Sequence, residues 1–341
     1  MRSVVATRLL PWCTSPGPAR ARPVVLACLN MAPVSPRTPD GRRRAVAGST
    51  AGLGALLAAA ALCAGGCAGT TAAPAGLTAL EDAEGVQLLE DGRPVLRYRS
   101  RPASDREPWR TDYVHPLYSV DGAIVTEDAP ADHVHHRGIF WAWRRILVDG
   151  VPIADGWVGN GLVLDAARPG VTLLPDGSVR IEARLRWRVT LDGKSVPIVE
   201  ESSEIRAWPV SAGVRRVDVT VRLRALRPGV ELAGTDDGKG YGGLSMRFAN
   251  TQSVRIESGG RELQAVVDGM DTGPDVGFFW PTLEPPWPVR IDVSCSVDGR
   301  PWTRWVLRQE PSMQNCAYPG RVPVTLPTGE DRVLQASLRL R

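Results

Sequence analysis

Apolar and polar residues alternate along most of the chain beyond residue 85. The longest such run extends from Val179 to Leu191, where apolar residues alternate with arginine, glutamate and threonine. Because successive side chains of a strand point to opposite faces, this pattern predicts a strand with one buried and one hydrated face. The same alternation predicts further strands at Val217–Ala225, Leu244–Phe248, Val289–Cys295 and Arg332–Leu340.

Asp-Gly dipeptides separate several of these runs. Both residues tolerate the positive φ angles of tight hairpin turns. No long stretch carries the 3.6-residue apolar period of a helix. We therefore predict an all-β fold, a large antiparallel β-sandwich that is supersandwich-like, with few or no helices beyond a signal segment. The predicted domain is single and covers residues 85–341.

The first 66 residues read as a targeting segment. Three arginines at 42–44 precede an apolar run at 51–62, and small residues at 64–66 precede Cys67. This order is typical of a secretory signal, and the site before Cys67 is similar to that of bacterial lipoproteins. We predict export, a lipid anchor on Cys67 and a flexible tether over residues 67–84. Met31 is a plausible true start, and a plain secreted protein is the alternative.

The distribution of charge argues against one function, and the cysteines allow two structural alternatives. The chain has 41 basic and 37 acidic residues, and the basic ones are spread among the acids, so nucleic-acid binding is not favoured. Cys295 shares strand parity with the apolar residues of its run, which predicts a buried side chain. Cys295 and Cys316 are either a disulfide or two buried thiols.

The candidate catalytic and metal-binding residues are concentrated in one short stretch. The chain has four histidines, of which three lie at 133, 135 and 136, with His115 shortly upstream. If this segment is extended, His133 and His135 point to one face and His136 to the other. His115, His133 and His135 are then a candidate metal set, suited to zinc, manganese or iron.

A second interpretation needs no metal. In it, His133 or His136 acts as general base or acid, Asp132 orients a ring, and Arg137 binds an anionic oxygen. A third interpretation has no chemistry: the histidines hold a sheet edge together through hydrogen bonds.

Residues elsewhere supply further candidates. Lys239 and Tyr241 lie in a glycine-rich loop, and Glu310, which precedes Pro311, could add a carboxylate; each is a secondary catalytic candidate. Trp141 and Trp143 share one strand face and are the predicted pocket walls, since tryptophan rings stack on sugars, although most tryptophans of sandwiches are core.

Three segments resemble one bacterial family. They are Tyr113–Tyr118, Asp132–Trp143 and Tyr241–Phe248, which are similar to the so-called PmoA family. The resemblance implies an exported protein associated with sugar degradation. The methane-oxygenase label is treated as a misnomer, because a membrane subunit needs several apolar helices of about 20 residues.

These observations together predict an exported enzyme that acts on a sugar or glycoside, of hydrolase, lyase or epimerase type. Its partners are a sugar ligand and the membrane, the latter through the lipid anchor only. The main alternative is a non-catalytic carbohydrate-binding or cell-surface lipoprotein. A metal-storage or metal-delivery lipoprotein is a third hypothesis.

Overall fold

The computed structural model describes residues 76–102, 107–249, 254–283, 287–310 and 313–341. The predicted signal segment, the lipidation of Cys67 and the start at Met31 lie outside the described residues. Every regular element within them is a strand, and none of them forms a helix that is long and apolar enough to cross a membrane.

The strands are numbered in chain order. They are β1 (Leu77–Glu81), β2 (Gly85–Glu90), β3 (Arg93–Arg99), β4 (Tyr113–Leu117), β5 (Ile139–Trp143), β6 (Arg145–Val148), β7 (Val151–Ala154), β8 (Val163–Ala166), β9 (Gly170–Leu173), β10 (Val179–Leu191), β11 (Lys194–Ala207), β12 (Arg215–Ala225), β13 (Val230–Ala233), β14 (Gly242–Arg247), β15 (Arg255–Ser258), β16 (Arg261–Leu263), β17 (Met270–Asp271), β18 (Asp275–Leu283), β19 (Trp287–Val297), β20 (Arg300–Pro301), β21 (Arg304–Val306), β22 (Met313–Cys316), β23 (Val324–Thr325) and β24 (Arg332–Leu340).

These strands form three antiparallel sheets. The order of the nine-stranded sheet is β1-β2-β3-β4-β5-β14-β22-β21-β17. The eleven-stranded sheet runs β16-β15-β18-β19-β24-β12-β11-β10-β8, with β20 paired to β19 and β9 to β10. A four-stranded sheet has the order β23-β13-β6-β7. The predicted antiparallel β-sandwich is thus confirmed.

The hydrophobic core lies between the two large sheets. Trp143 of the nine-stranded sheet packs against Trp187 of the eleven-stranded sheet, with ring centroids 5.7 Å apart. Farther along, Trp305 and Phe278 pack across the same interface at 6.3 Å. All four side chains are buried, and such aromatic pairs add to the apolar area that holds the layers together.

The strands predicted from alternation agree with the structure. β10 and β24 have the predicted bounds, and the apolar positions of β10 are buried while most of its charged ones are exposed. Hairpin turns at four of the Asp-Gly dipeptides place both residues at positive φ, as two-residue turns of this kind require. These turns begin at Asp91, Asp149, Asp192 and Asp298.

The folded sheet begins earlier than predicted. β1 lies within the segment 67–84 that we expected to be a tether. All five of its residues pair with β2, and Leu77 is buried in the core. A five-residue strand with one inward apolar position leaves only a weak signal in the sequence, so pairing with β2 decides its structure.

A disulfide joins the two large sheets. Cys295 on β19 and Cys316 on β22 are bonded across the core, with their Cα atoms 6.6 Å apart. Both residues are buried, which confirms the inward direction predicted for Cys295. Of the two alternatives left open by the sequence, the structure contains the disulfide.

Removing this cross-link is expected to destabilise the fold. The bond closes a loop with a sequence separation of 21 residues. Loop-closure entropy predicts a loss of about 3 kcal/mol in the Cys295→Ala/Cys316→Ala double variant. Urea unfolding of the variant, and of wild type with and without reductant, measures it. A difference below about 1 kcal/mol would contradict a stabilising role.

Candidate active site

The outer face of the nine-stranded sheet carries a second, smaller apolar cluster. Side chains on β4, β5 and β22 that point away from the main core meet Trp157, which follows β7. The cluster comprises Tyr113, Phe140, Ala142, Trp157 and Met313, with Tyr241 packed against it. The rings of Phe140 and Trp157 are 5.2 Å apart, and those of Trp157 and Tyr241 are 5.5 Å apart. This cluster forms the floor of a depression. The segment from Asp132 to Gly138, called the histidine segment below, lies over it.

The histidine segment is not extended, contrary to our expectation. It consists of two successive turns, in which the amide of His133 donates to the carbonyl of Pro130 and that of His136 to the carbonyl of His133. The turns direct Val134 to solvent and bring all three imidazoles together. The predicted separation of His136 from His133 and His135 is therefore wrong.

Two buried arginines fix the histidine segment from its two sides. Arg247 of β14 donates to Glu127 from Nε at 2.8 Å and to Asp132 from Nη2 at 3.0 Å. Arg110 donates from Nη1 to the carbonyl of Val134 at 2.7 Å and pairs with Asp128 through Nη2. Because each arginine links the segment to residues outside it, the turns have a defined position.

The three imidazole rings form one cluster. The rings of His133 and His136 are stacked, with centroids 4.6 Å apart and planes inclined by 5°. His135 meets them edge-on, at 5.7 Å from His133 and 4.7 Å from His136.

The hydrogen bonds of the stacked pair assign opposite roles to their pocket-facing nitrogens. Nδ1 of His133 donates to Oδ2 of Asp132 at 2.9 Å, so its Nε2 carries the lone pair. Nδ1 of His136 accepts from Nη1 of Arg247 at 3.5 Å, so its Nε2 carries the proton. The pair therefore presents one acceptor and one donor side by side.

The environment keeps two of these imidazoles neutral. Burial lowers the pKa of His135 to about 4, helped by the charges of His133 and Arg144. Burial and the neighbouring histidines lower the pKa of His136 to about 3. For Asp132, desolvation raises the pKa, but the hydrogen bonds from His133 and Arg247 outweigh it and bring the value to about 2. Asp132 is thus a carboxylate that holds the ring of His133 through a hydrogen bond, the contact that the metal-free interpretation requires.

The histidines open onto a pocket of about 300 Å³. Its size is at the lower end of the range for small-molecule sites. The described residues that line it are His133, His135, His136, Arg144, Trp157, Thr235, Tyr241, Arg308 and Met313.

The structure does not assemble the predicted metal set. Nδ1 of His115 lies 3.0 Å from Oγ1 of Thr126, and His115 does not line the pocket. Burial lowers the pKa of His115. Nowhere in the described residues are three or more His, Cys, Asp or Glu side chains placed to hold a metal ion.

The stacking of His133 and His136 prevents these two rings from binding one metal ion together. Lone pairs of imidazole lie in the ring plane, and two parallel stacked planes share no point at which both lone pairs meet one ion. The identity of any cofactor stays a prediction from the sequence.

The tryptophans predicted as pocket walls are core residues instead. Trp141 and Trp143 are 6% and 0% exposed and point to the inner face of the sheet. Their indole nitrogens donate to Glu201 and to the carbonyl of Tyr318, respectively. Trp157, on the opposite face, provides the tryptophan surface of the pocket.

Arg137 also lies away from the pocket. It is 3% exposed, and its guanidinium packs 4.6 Å from the ring centroid of Phe140 and 4.9 Å from that of Trp109. It faces a small internal cavity that Asp112 and Glu201 also line. The predicted contact between Arg137 and a substrate oxygen is therefore wrong, because the turn before β5 directs the side chain inward.

The two carboxyl groups in this cavity form a buried pair. Burial raises the pKa of Asp112, and it raises that of Glu201 well above its usual range. Asp112 accepts hydrogen bonds from Tyr98 at 2.5 Å and Ser203 at 2.9 Å. Glu201 accepts from Trp187 at 2.5 Å. The pKa of Glu201 is the more strongly raised of the two, so burial favours its protonated form.

Of the three secondary catalytic candidates, only one lies at the pocket. Tyr241 lines the pocket. Lys239 pairs with Asp237 at 3.6 Å and does not line it. Glu310 is exposed and is not among the described lining residues. Its position at the end of a loop leaves its carboxylate in solvent.

Several lining residues escaped the sequence analysis. Arg144, Thr235, Arg308 and Met313 come from four different segments of the chain, and none belongs to a short motif. The sequence signal for Arg144 is weak: it is a charged residue directly after a fully buried strand.

Comparison with known proteins gives a family but no function. No curated protein matches the chain. A family model matches residues 85–339, which include the histidine segment and every described lining residue of the pocket. The chain belongs to the family of unknown function DUF6807.

Proposed function

We propose that this protein is an exported enzyme that acts on a sugar by acid–base catalysis, with His133 as the general base. The observation that carries the proposal is the Asp132–His133 pair, whose 2.9 Å hydrogen bond leaves Nε2 of His133 as an acceptor in the pocket. A carboxylate that orients an imidazole in this way favours the basic tautomer and stabilises the imidazolium that forms.

The neighbouring groups complement this base. His136 presents Nε2–H beside it, and its low pKa keeps it a neutral donor that polarises a substrate oxygen without losing its proton. Tyr241, which packs against Trp157, supplies a hydroxyl as proton donor in the pocket. Base, polarising donor and acid are the components of proton abstraction and elimination or epimerisation.

The sugar assignment is supported by the pocket and by the resemblance to the PmoA family. Trp157 and Tyr241 offer aromatic surface, and about 300 Å³ suits one sugar unit. Export through the signal segment and anchoring through Cys67 belong to the same proposal. The Cys295–Cys316 disulfide supports it, since such bonds persist outside the reducing cytoplasm.

Substitution of His133 tests the catalytic proposal. The full chain is first screened against native and oxidised oligosaccharides, with mass spectrometry to detect products. His133→Ala is expected to lower kcat by roughly 10²- to 10⁴-fold on the substrate found, because it removes the base. Asp132→Asn is expected to lower it less, since the ring remains but loses its orienting charge.

Val134→Ala is the matched control. This residue lies between two pocket histidines but is 59% exposed, so its substitution is expected to leave turnover and melting unchanged. If His133→Ala retains turnover within twofold, His133 is not the base. Sugar binding without turnover in wild type favours the alternative, a non-catalytic carbohydrate-binding lipoprotein. Metal analysis of the same preparations tests the cofactor prediction.

A further inference from the structure

The described residues that line the pocket include two arginines and no carboxylate. The two guanidinium groups belong to Arg144 and Arg308. The pKa of His135 responds to this field, since it is lowered first by burial and then by His133, Arg144, Arg137 and Arg110. A pocket of this kind attracts an anion.

The two arginines differ in how their charge is balanced. Nη1 of Arg144 pairs with Asp155 at 3.1 Å. Arg308 donates only to neutral carbonyls, from Nη1 to Val266 and Leu307 at 2.7 Å and from Nη2 to Val267 at 2.5 Å. Among the residues that the structure describes, no carboxylate pairs with Arg308. Its positive charge is therefore available to a ligand.

The hydrogen bonds of Arg308 also leave one side of its guanidinium open. The three carbonyls engage both protons of Nη1 and one of Nη2, and Nε forms no bond within the described ranges. Nε–H and the second Nη2–H are the paired donors that bind a carboxylate in bidentate fashion. The carbonyls hold this donor pair in place before a ligand arrives, and the guanidinium lies 5.8 Å from the ring centroid of Tyr241.

We infer that the pocket binds an anionic sugar, a uronate unit, with its carboxylate held by Arg308. This inference rests on the proposed function and specifies its substrate class. It also separates lyase from hydrolase chemistry. Glycoside hydrolysis generally uses two carboxyl groups beside the bond to be cleaved, whereas the described lining of this pocket contains none.

A uronate allows β-elimination with the groups that are present. His133 removes the proton from the carbon next to the carboxylate, and Arg308 stabilises the negative charge that develops on the carboxylate oxygens. The electron pair forms a carbon–carbon double bond as the bond to the leaving oxygen at the β-carbon breaks. That oxygen takes the proton of Tyr241, which solvent restores while His133 releases its own. The step needs no oxidant or reductant.

The test compares uronate oligosaccharides with their neutral counterparts. The probes are oligomers of galacturonate, glucuronate, mannuronate and guluronate, each paired with the same oligomer after chemical reduction of its carboxyl groups. Calorimetry with the full chain measures affinity, and ultraviolet absorbance of the conjugated alkene measures elimination. At least one uronate is expected to bind tenfold or more tightly than its reduced form, since a charge-assisted bidentate pair is lost on reduction.

Two variants tie this preference to Arg308. Arg308→Gln is expected to remove the tenfold preference, and Arg186→Gln, on the exposed face of β10, is expected to keep it. Equal or tighter binding of the reduced oligomers, or no binding of any uronate, overturns the inference. Neutral sugars that are turned over in a His133-dependent reaction would leave the proposed function intact. Uronate preference with full activity in His133→Ala would instead overturn the proposed base and keep the substrate class.

Discussion

Replacing Gly138 by alanine is expected to destabilise the protein strongly and to displace the histidine segment. Gly138 has φ of +36°, and an added Cβ would lie 2.0 Å from the carbonyl oxygen of Val114 and 2.8 Å from Cβ of His115. Both atoms belong to β4. The left-handed backbone costs about 1–2 kcal/mol and the forced displacement about 1–3 kcal/mol, so a total of about 2–5 kcal/mol is expected.

The position of Gly138 explains why its effect reaches the pocket. Its amide donates to the carbonyl of Glu127 at 2.7 Å, and its carbonyl accepts from the amide of Arg247 at 2.7 Å. A shift of this residue therefore moves the end of the histidine segment and its Arg247 anchor together.

Gly259→Ala is the matched control for this experiment. Gly259 has φ of +56°, but an added Cβ would meet nothing within 4 Å. Urea unfolding and ligand affinity of both variants separate backbone strain from collision. Equal losses in the two variants would show that the contact with Val114 is unimportant.

Stability is expected to pass through a maximum near pH 6.5. His135 and His136 have pKa values of about 4 and about 3 in the folded protein, below the ordinary value of 6.5. The unfolded chain therefore binds two more protons below pH 6.5, and stability falls as the pH decreases. Glu201 has a raised pKa, so above its ordinary value of 4.5 the folded protein binds the extra proton and stability falls as the pH rises.

The two effects combine into a curve with a defined shape. Each proton changes the free energy of unfolding by about 1.4 kcal/mol per pH unit. Between pH 4.5 and 6.5 the three histidines with a lowered pKa, His115, His135 and His136, outweigh the two carboxyl groups with a raised pKa, so stability rises. These carboxyl groups are Asp112 and Glu201. Above pH 6.5 the histidines are neutral in both states, and stability declines until Glu201 ionises.

Urea unfolding from pH 4.5 to 9 in wild type and Glu201→Gln measures this curve. The variant is expected to be less stable near pH 6, because an amide has one acceptor oxygen for the indoles of Trp141 and Trp187. Its decline above pH 6.5 is expected to be flatter, since the titrating group is gone. A wild-type curve that stays level from pH 6.5 to 8.5 would show that Glu201 is ionised in the folded state.

The sheet structure could be predicted from the sequence to a large extent. Alternation from Val179 to Leu191 and from Arg332 to Leu340 located β10 and β24. A strand with one solvent-exposed face has polar and apolar residues at alternate positions. The Asp-Gly turns marked hairpins through the positive φ that they tolerate. The direction of Cys295 followed from the same parity.

The site could be located but not assembled from the sequence. The histidine cluster marked its centre, yet the segment forms turns because Arg110 and Arg247 hold it, and the contacts of Arg247 join residues more than 100 positions apart. Trp141 and Trp157 are equally apolar, and only the sheet face to which each belongs decides which one meets the pocket. Arg137 was expected to bind an anionic oxygen, because no charge pattern in the sequence shows that its guanidinium packs on two aromatic rings.

Because Arg110 and Arg247 hold the histidine segment, they must be conserved together with the histidines. The string from Asp132 to Gly138 does not define its own geometry; Arg110 and Arg247 do. Relatives that keep the histidines but lose either arginine will have the sequence motif without the arrangement of imidazole rings. Transplanting the segment alone into another sheet will fail for the same reason. The unit that evolution must conserve, and that a designer must move, is the histidine segment with β4, β5, β14 and the chain around Arg110.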